Sequence, residues 1–280
     1  MLKNKIDLNR EFLIGDGAMG TRLMELGVDL RKNSVETLNL NNPELIEKVH
    51  KEYVEAGSNI ILSNTFMCNI INEKKNNYKL EEVVEKALSI GRKVCKDETF
   101  LALDIGPLSY YMNNEDGSFK KIIEDNTERI IKAGKDNFDL VIFETFGSLE
   151  ESKIAIKKAK ELTFKPIICS FTLAGKINVK CFLEDVCLNL NNSGISALGI
   201  NCTEYSKVLE GIKVFKKNTK LPIMIKPNLG IPKREGEKLK YSQEIREFKE
   251  FSKKAKELGV KIIGGCCGTT KDYIESIKNI

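Results

Sequence analysis

The chain has 280 residues, 41% hydrophobic and 30% charged, with a formal net charge of +5. That balance excludes a disordered protein, and no apolar run approaches the roughly 20 residues that a membrane-spanning helix needs. The extra lysines alternate with acids, as in Lys157-Lys158-Ala159-Lys160 between Glu151 and Glu161, and there is no Trp. The basic excess therefore reads as solvated helix faces, and no nucleic-acid partner is expected.

Short β-branched runs alternate with amphipathic segments along the whole chain, the signature of parallel βα units. The first strand lies near Phe12-Leu-Ile14 and ends in Gly15-Asp-Gly-Ala-Met-Gly20. A helix from Pro43 to about Gly57 leads to strand Asn59–Leu62, which ends in Ser63-Asn-Thr-Phe66. A helix over 79–96 precedes strand Phe100–Leu103 and Asp104-Ile-Gly-Pro107, and one over 121–136 precedes Leu140–Phe143 and Glu144-Thr-Phe146. Helices over 149–162 and 182–192 precede strands Pro166–Phe171 and Ala197–Ile200, the latter ending in Asn201-Cys-Thr203. A helix over 205–217 leads to Pro222–Ile225 with Lys226-Pro-Asn228, and one over 243–258 leads to Val260–Ile263 and Gly264-Gly-Cys-Cys-Gly268. A last helix carries Ile274 and Ile277 on one face, with capping-box spacing between Thr269 and Asp272 at its start.

Eight strands and eight helices, with no Pro/Gly/Ser linker between them, predict one domain over 1–280, a single (β/α)8 TIM barrel. In that fold the loops after the strands form the active face, and long loops over 64–78, 105–119, 173–182 and 228–242 are placed to cover a substrate. The polar residues at the predicted tips are Asp16, Asn64, Thr65, Asp104, Glu144, Asn201, Cys202, Asn228, Cys266 and Cys267.

Eight cysteines without a Cys-x-x-Cys pair, behind an N-terminus lacking an apolar signal core, suggest a cytoplasmic chain with free or metal-bound thiols. Adjacent cysteines in a continuing strand point to opposite faces, so Cys266 and Cys267 serve one site only if the chain turns at Gly265 and Gly268. Taken alone, the pair fits a metal site and two buried thiols equally. Barrel closure brings the tips of strands six and eight together, which makes Cys202 a third thiol and favours zinc with an open fourth position. Cys169 and Cys95 read as core, Cys68 as incidental, and Cys181 and Cys187 as unassigned. The one histidine, His50, joins Ile46, Val49 and Tyr53 at helical spacing and reads as a packed, hydrogen-bonded structural residue.

Three thiolates on Zn²⁺ leave a formal charge of −1, a poor Lewis acid for carbonyls but a centre that still ionises an incoming thiol. Against a free-thiol pKa of about 8.5, full ionisation at neutral pH is worth about 2 kcal/mol. Thiol alkylation fits such a site better than hydrolysis. Gly15-Asp-Gly-Ala-Met-Gly20 has the spacing of a dinucleotide loop, but no strand ending in an acid follows about 20 residues on, so it reads as a tight turn. Asp16 and Glu144 fit an acid–base pair or an amine-binding pair.

Asp16-Gly-Ala-Met-Gly-Thr21, Asn64-Thr-Phe66, Asp104-Ile-Gly-Pro107, Phe143-Glu-Thr-Phe146, Gly199-Ile-Asn-Cys202 and Gly264-Gly-Cys-Cys-Gly-Thr269 occur in that order across the chain. Together they resemble the signature blocks of homocysteine S-methyltransferases, and most of all the homocysteine-binding module of cobalamin-dependent methionine synthase. The resemblance implies an enzyme that methylates homocysteine to methionine, with Zn²⁺ on Cys202, Cys266 and Cys267 and the homocysteine sulfur as exchangeable ligand. It also implies that Glu144 and the Asp16 loop hold the amino-acid end, and Asn64, Thr65, Asn201 and Asn228 are expected among the substrate contacts. Two departures lie on the donor side. Lys226 stands where members often carry Glu, and the loop Ala174–Cys181 lacks an expected Thr-Gly-like segment.

No cobalamin, folate or activation module accompanies the barrel, so the expected methyl donor is a small molecule or the cobalamin of a separate corrinoid- or folate-binding protein. The runner-up is accordingly a subunit of a split cobalamin-dependent methionine synthase. More remote are a non-catalytic zinc or thiol protein and an aldolase-type barrel with a Schiff-base lysine such as Lys226.

Overall fold

The apolar runs become parallel strands because both of their faces are buried, one by the barrel interior and one by the helices. The computed structural model describes residues 6–8, 12–112, 118–230, 232–235 and 238–280. The loops expected over 105–119 and 228–242 lie partly outside these residues. Eight strands form the barrel: β1 (Leu13–Ile14), β2 (Ile60–Leu62), β3 (Phe100–Ile105), β4 (Leu140–Phe146), β5 (Ile167–Phe171), β6 (Ala197–Asn201), β7 (Ile223–Lys226) and β8 (Ile262–Ile263). Each pairs in parallel with its sequence neighbour from β2 to β8, and β8 pairs with β1 through Leu13–Ile262 and Ile14–Ile263. A single parallel bridge, Gly15 to Ile60, completes the ring between β1 and β2. The chain is a (β/α)8 barrel.

Alternation along the strands sorts two cores. Leu13, Ile60, Leu62, Phe100, Ala102, Leu140, Ile142, Ile168, Ala197, Met224 and Ile262 fill the barrel, with Leu8 packed among them. Their neighbours Ile61, Leu101, Leu103, Val141, Phe143 and Cys169 turn outward against the helices. Burying one such aliphatic side chain stabilises the fold by about 1.5–3 kcal/mol.

The helices start where the sequence offers caps. Pro43 opens α3 (Pro43–Glu55), and Ser148 accepts a hydrogen bond from Glu151 N–H at the head of α7 (Leu149–Leu162). Glu244 and Glu247 form a capping box at α10 (Ile245–Glu257). The other predicted helices appear as α5 (Leu80–Val94), α6 (Phe119–Ala133), α8 (Val179–Leu190), α9 (Tyr205–Asn218) and α11 (Lys271–Ser276). Three short helices are additional: α1 (Gly20–Glu25) and α2 (Leu38–Asn41) after β1, and α4 (Ile70–Asn76) after β2. A small hairpin, Lys233–Glu235 with Lys238–Lys240, follows β7. The predicted capping box at α11 does not form. Thr269 is drawn away, donating to Cys266 C=O (2.7 Å) and accepting from Ala18 N–H (3.1 Å). No helix among the described residues is long and apolar enough to cross a membrane.

His50 is packed with Ile46, Val49 and Tyr53 on α3 and fully buried, as its spacing implies. Neither ring nitrogen has a hydrogen-bond partner among the described residues, contrary to expectation. Burial pushes its pKa down to about 4, with Asp16 opposing weakly. The unfolded chain, with a histidine near 6.5, binds the extra proton first on acidification. Stability present above pH 6.5 is therefore lost progressively as pH falls toward 4, by about 3 kcal/mol in all. Urea titrations at stepped pH should show this slope, and His50→Leu should flatten it.

Candidate active site

Strand tips converge on one cavity of about 440 Å3 at the carboxyl end of the barrel. Its wall carries Asp16, Asn64, Asp104, Glu144, Lys226, Cys202, Cys266 and Cys267, with Met19, Met24, Leu30, Val35, Phe66, Met67 and Tyr110 supplying apolar surface. The predicted residues Asp16, Asn64, Glu144 and the three cysteines thus come together across about 250 residues of sequence.

The double cysteine owes its position to a close approach of β1 and β8. Gly265 N–H donates to Asp16 C=O (2.9 Å), and a Cβ on Gly264 would lie 2.8 Å from that same carbonyl oxygen. Only glycine lets the two strand tips lie this close. Cys266 N–H donates to Pro227 C=O (2.9 Å), and Leu229 N–H donates to Cys267 C=O (3.1 Å). Gly268, at φ +89°, then turns the chain so that both thiols face one side. Cys202, at φ +50°, stands in the left-handed region that few non-glycine residues occupy, a local strain held by its N–H to Lys226 C=O (3.1 Å).

The Sγ atoms of Cys202, Cys266 and Cys267 lie within 4.8 Å of one another. A tetrahedral zinc with bonds of about 2.3 Å sets its sulfurs about 3.8 Å apart. Three thiols facing a cavity therefore fit a zinc ion with one position left open, and the donor set is soft enough to favour it. Asn228 braces the cluster, its Nδ2 reaching Cys202 Sγ at 3.7 Å while Oδ1 accepts from Cys267 N–H at 3.2 Å. Cys202 is pushed up to about 12: its hydrogen bond with Cys266 lowers it, while that with Cys267 and burial raise it. The thiols thus hold their protons until a cation displaces them.

Beside the thiols is a buried charge cluster. Asp16 Oδ2 accepts from Leu62 N–H (2.8 Å), and Oδ1 accepts from Lys226 Nζ (2.9 Å). Lys226 Nζ also lies 3.2 Å from Glu144 Oε1. Burial works against the Lys226 ammonium, but Asp16 and Glu144 outweigh it and hold the group charged. Asp104 is also buried beside them, its Oδ1 without a hydrogen-bond partner among the described residues. Burial, helped by the Glu144 charge, pushes its carboxyl well above the usual carboxylate range.

Two predicted contacts are used inside the protein instead. Thr65 is fully buried, its Oγ1 donating to Asp104 C=O (2.6 Å), and it does not line the cavity. Asn201 is likewise enclosed, accepting from Thr145 N–H (3.0 Å) and Ser170 Oγ (2.7 Å) and donating to Thr145 Oγ1 (2.6 Å). Those bonds hold Thr145 at φ +64° and aim the preceding Glu144. Asn64 lines the cavity but also donates to Val35 C=O (2.9 Å) and Asn39 Oδ1 (3.1 Å). Asn228 lies between the thiols and a smaller neighbouring cavity of about 220 Å3.

Sequence reasoning gave Lys226 no role in methyl transfer, only a remote Schiff-base one, and gave Tyr110 none. Lys226 was visible as a lysine at a strand tip. Tyr110 had no signal, because its place depends on Glu151 of α7, which accepts from Leu108 and Ser109 N–H and pins the loop after β3. Cys68 and Cys187 are buried and Cys181 is exposed.

Comparisons with known proteins agree with this geometry. The family model described as homocysteine S-methyltransferase matches residues 13–280. Methionine synthase of Mycobacterium leprae is 24% identical over 96% of this chain, and the match spans 24% of that protein, so the chain spans about a quarter of such a relative. Homocysteine S-methyltransferase 1 of Arabidopsis thaliana is 28% identical, over 94% of this chain and 91% of its own length. The metallated crystal structure of the homocysteine methyltransferase MmuM from Escherichia coli superposes with a TM-score of 0.80 at 23% identity, covering 96% of both chains.

Proposed function

The chain belongs to the homocysteine S-methyltransferase family, and from that premise we propose that it transfers a methyl group to the thiol of homocysteine, forming methionine. The observation that carries this reading is the three-thiol cluster facing a cavity whose wall also holds carboxylates. Cys202, Cys266 and Cys267 would hold zinc, and a bound zinc would supply the ionisation of the incoming thiol.

The remaining work falls to residues of this chain. Asp16 and Glu144, with the Lys226 ammonium between them, form the wall that meets the amino-acid end of the substrate, and Asn64 lies on the same wall. Asn228 fixes the cysteine tips from behind, and Asn201 and Thr65 fix the tips of β4 and β2. Phe66, Met67 and Tyr110 shield the sulfur from water and leave the mouth to the donor. The ionised homocysteine sulfur attacks the donor methyl carbon from behind. The new S–C bond forms as the bond to the donor breaks, and the protein contributes mainly alignment.

The methyl donor is a compact methylated metabolite or protein-bound methylcobalamin. Parallel incubations of homocysteine with S-methylmethionine, betaine, methyltetrahydrofolate and methylcobalamin, with methionine measured, distinguish these. No methionine in any incubation overturns the reading. Glu144→Gln removes one of the two carboxylates that seat Lys226 beside the substrate and is expected to raise KM for homocysteine roughly 10- to 100-fold, an effect of about 1.5–3 kcal/mol. Its kcat should change far less, which steady-state kinetics will separate.

A further inference from the structure

Lys226 is the one positively charged side chain lining the cavity among the described residues. It ends β7 at 4% exposure, and its Nζ lies 2.9 Å from Asp16 Oδ1 and 3.2 Å from Glu144 Oε1. An ammonium between two carboxylates is the arrangement a substrate amine would adopt there. In this chain a residue of the protein already supplies it.

We propose that Lys226 is a specificity-determining residue that fills the seat between Asp16 and Glu144, so that the thiol acceptor is recognised chiefly by its carboxylate. The inference rests on the homocysteine reading and deepens it. A lysine has three N–H donors; one goes to Asp16 Oδ1, while Glu144 Oε1 at 3.2 Å pairs with the charge without a hydrogen bond among the described residues. Donor capacity therefore remains on Nζ for an anionic group entering the cavity. A second ammonium in the same gap meets Lys226 as a like charge and shares carboxylates already partly neutralised. A carboxylate entering from the mouth meets Lys226, the one cation on the wall among the described residues. It escapes the repulsion of Asp16 and Glu144 only where Lys226 stands between. The charge arrangement therefore weighs the two ends of an amino-acid thiol unequally.

The test is calorimetric binding of three thiols to the zinc-loaded full chain. They are homocysteine, 4-sulfanylbutanoate (which lacks the amine) and 3-sulfanylpropan-1-amine (which lacks the carboxylate). In the native chain, 4-sulfanylbutanoate should bind within about tenfold of homocysteine, and the amine analogue about a hundredfold more weakly. Lys226→Met should bring the two analogues together or invert them. Should that variant fold poorly, Lys226→Met with Asp16→Asn removes the charge pair together and must show the same inversion. If the native chain binds the amine analogue as well as 4-sulfanylbutanoate, or neither variant alters the ranking, the assignment of Lys226 is wrong while the homocysteine reading stands. If homocysteine itself does not bind, the parent reading falls and this inference falls with it.

Discussion

Cys202→Ser is expected to lose bound zinc and methionine formation together. Removing an outer partner of a metal ligand costs roughly 10- to 100-fold, so losing one of three protein ligands should cost about a thousandfold or more in activity. Metal analysis of the purified variant and a homocysteine methylation assay read the two losses separately. Cys187→Ser, at a buried cysteine on α8 that is not part of the thiol cluster, should leave both unchanged. If zinc content and activity both survive Cys202→Ser, the three sulfurs within 4.8 Å are packed thiols and the site lies elsewhere.

The second large effect falls on stability. Asp16 satisfies the buried Leu62 N–H and faces the buried Lys226 ammonium. Asp16→Ala strips both partners at once and leaves Lys226 with Glu144 alone. Breaking a buried pair in this way costs about 3–5 kcal/mol, a large part of the stability of an ordinary domain. Asp16→Asn should cost less, because its amide oxygen can still accept from Leu62 N–H. Urea unfolding of the two variants at one pH should order them in that way, and equal losses would contradict the pairing.

Much of the fold was legible because barrel strands are buried on both faces and so appear as apolar runs, each ending in a polar tip. Closure of the ring then follows from even spacing, and the meeting of Cys202 with Cys266 and Cys267 follows from closure. Side-chain direction at a tip was less accessible. Thr65 and Asn201 sit at tips beside cavity residues, yet both turn inward to tie neighbouring strands together. The turn at Thr145, φ +64° without a glycine, decides where Glu144 points, and no local pattern announces it. The Asp16–Lys226 pair spans 210 positions, so its partners are known only from the folded ring. The short helices α1, α2 and α4 carry too few residues to show a period. Thr269 illustrates the competition: a good capping residue by spacing was claimed instead by the Cys266 carbonyl and Ala18.

The seam between β1 and β8 is only two residue pairs long, and it sets when in folding the site can exist. β1 opens the barrel and β8 closes it, so Asp16 and the Cys266–Cys267 pair, 250 positions apart, meet only when the ring closes. Loop-closure entropy grows slowly with length, about 0.6 kcal/mol per doubling, so the long separation delays assembly more than it weakens it. An intermediate lacking the last βα unit has Cys202 but neither of its partners, and Asp16 without the Gly265 N–H that fixes its backbone. Acquisition of homocysteine affinity during refolding should accordingly trail the growth of helical signal, and its half-time would report the docking of β8 alone.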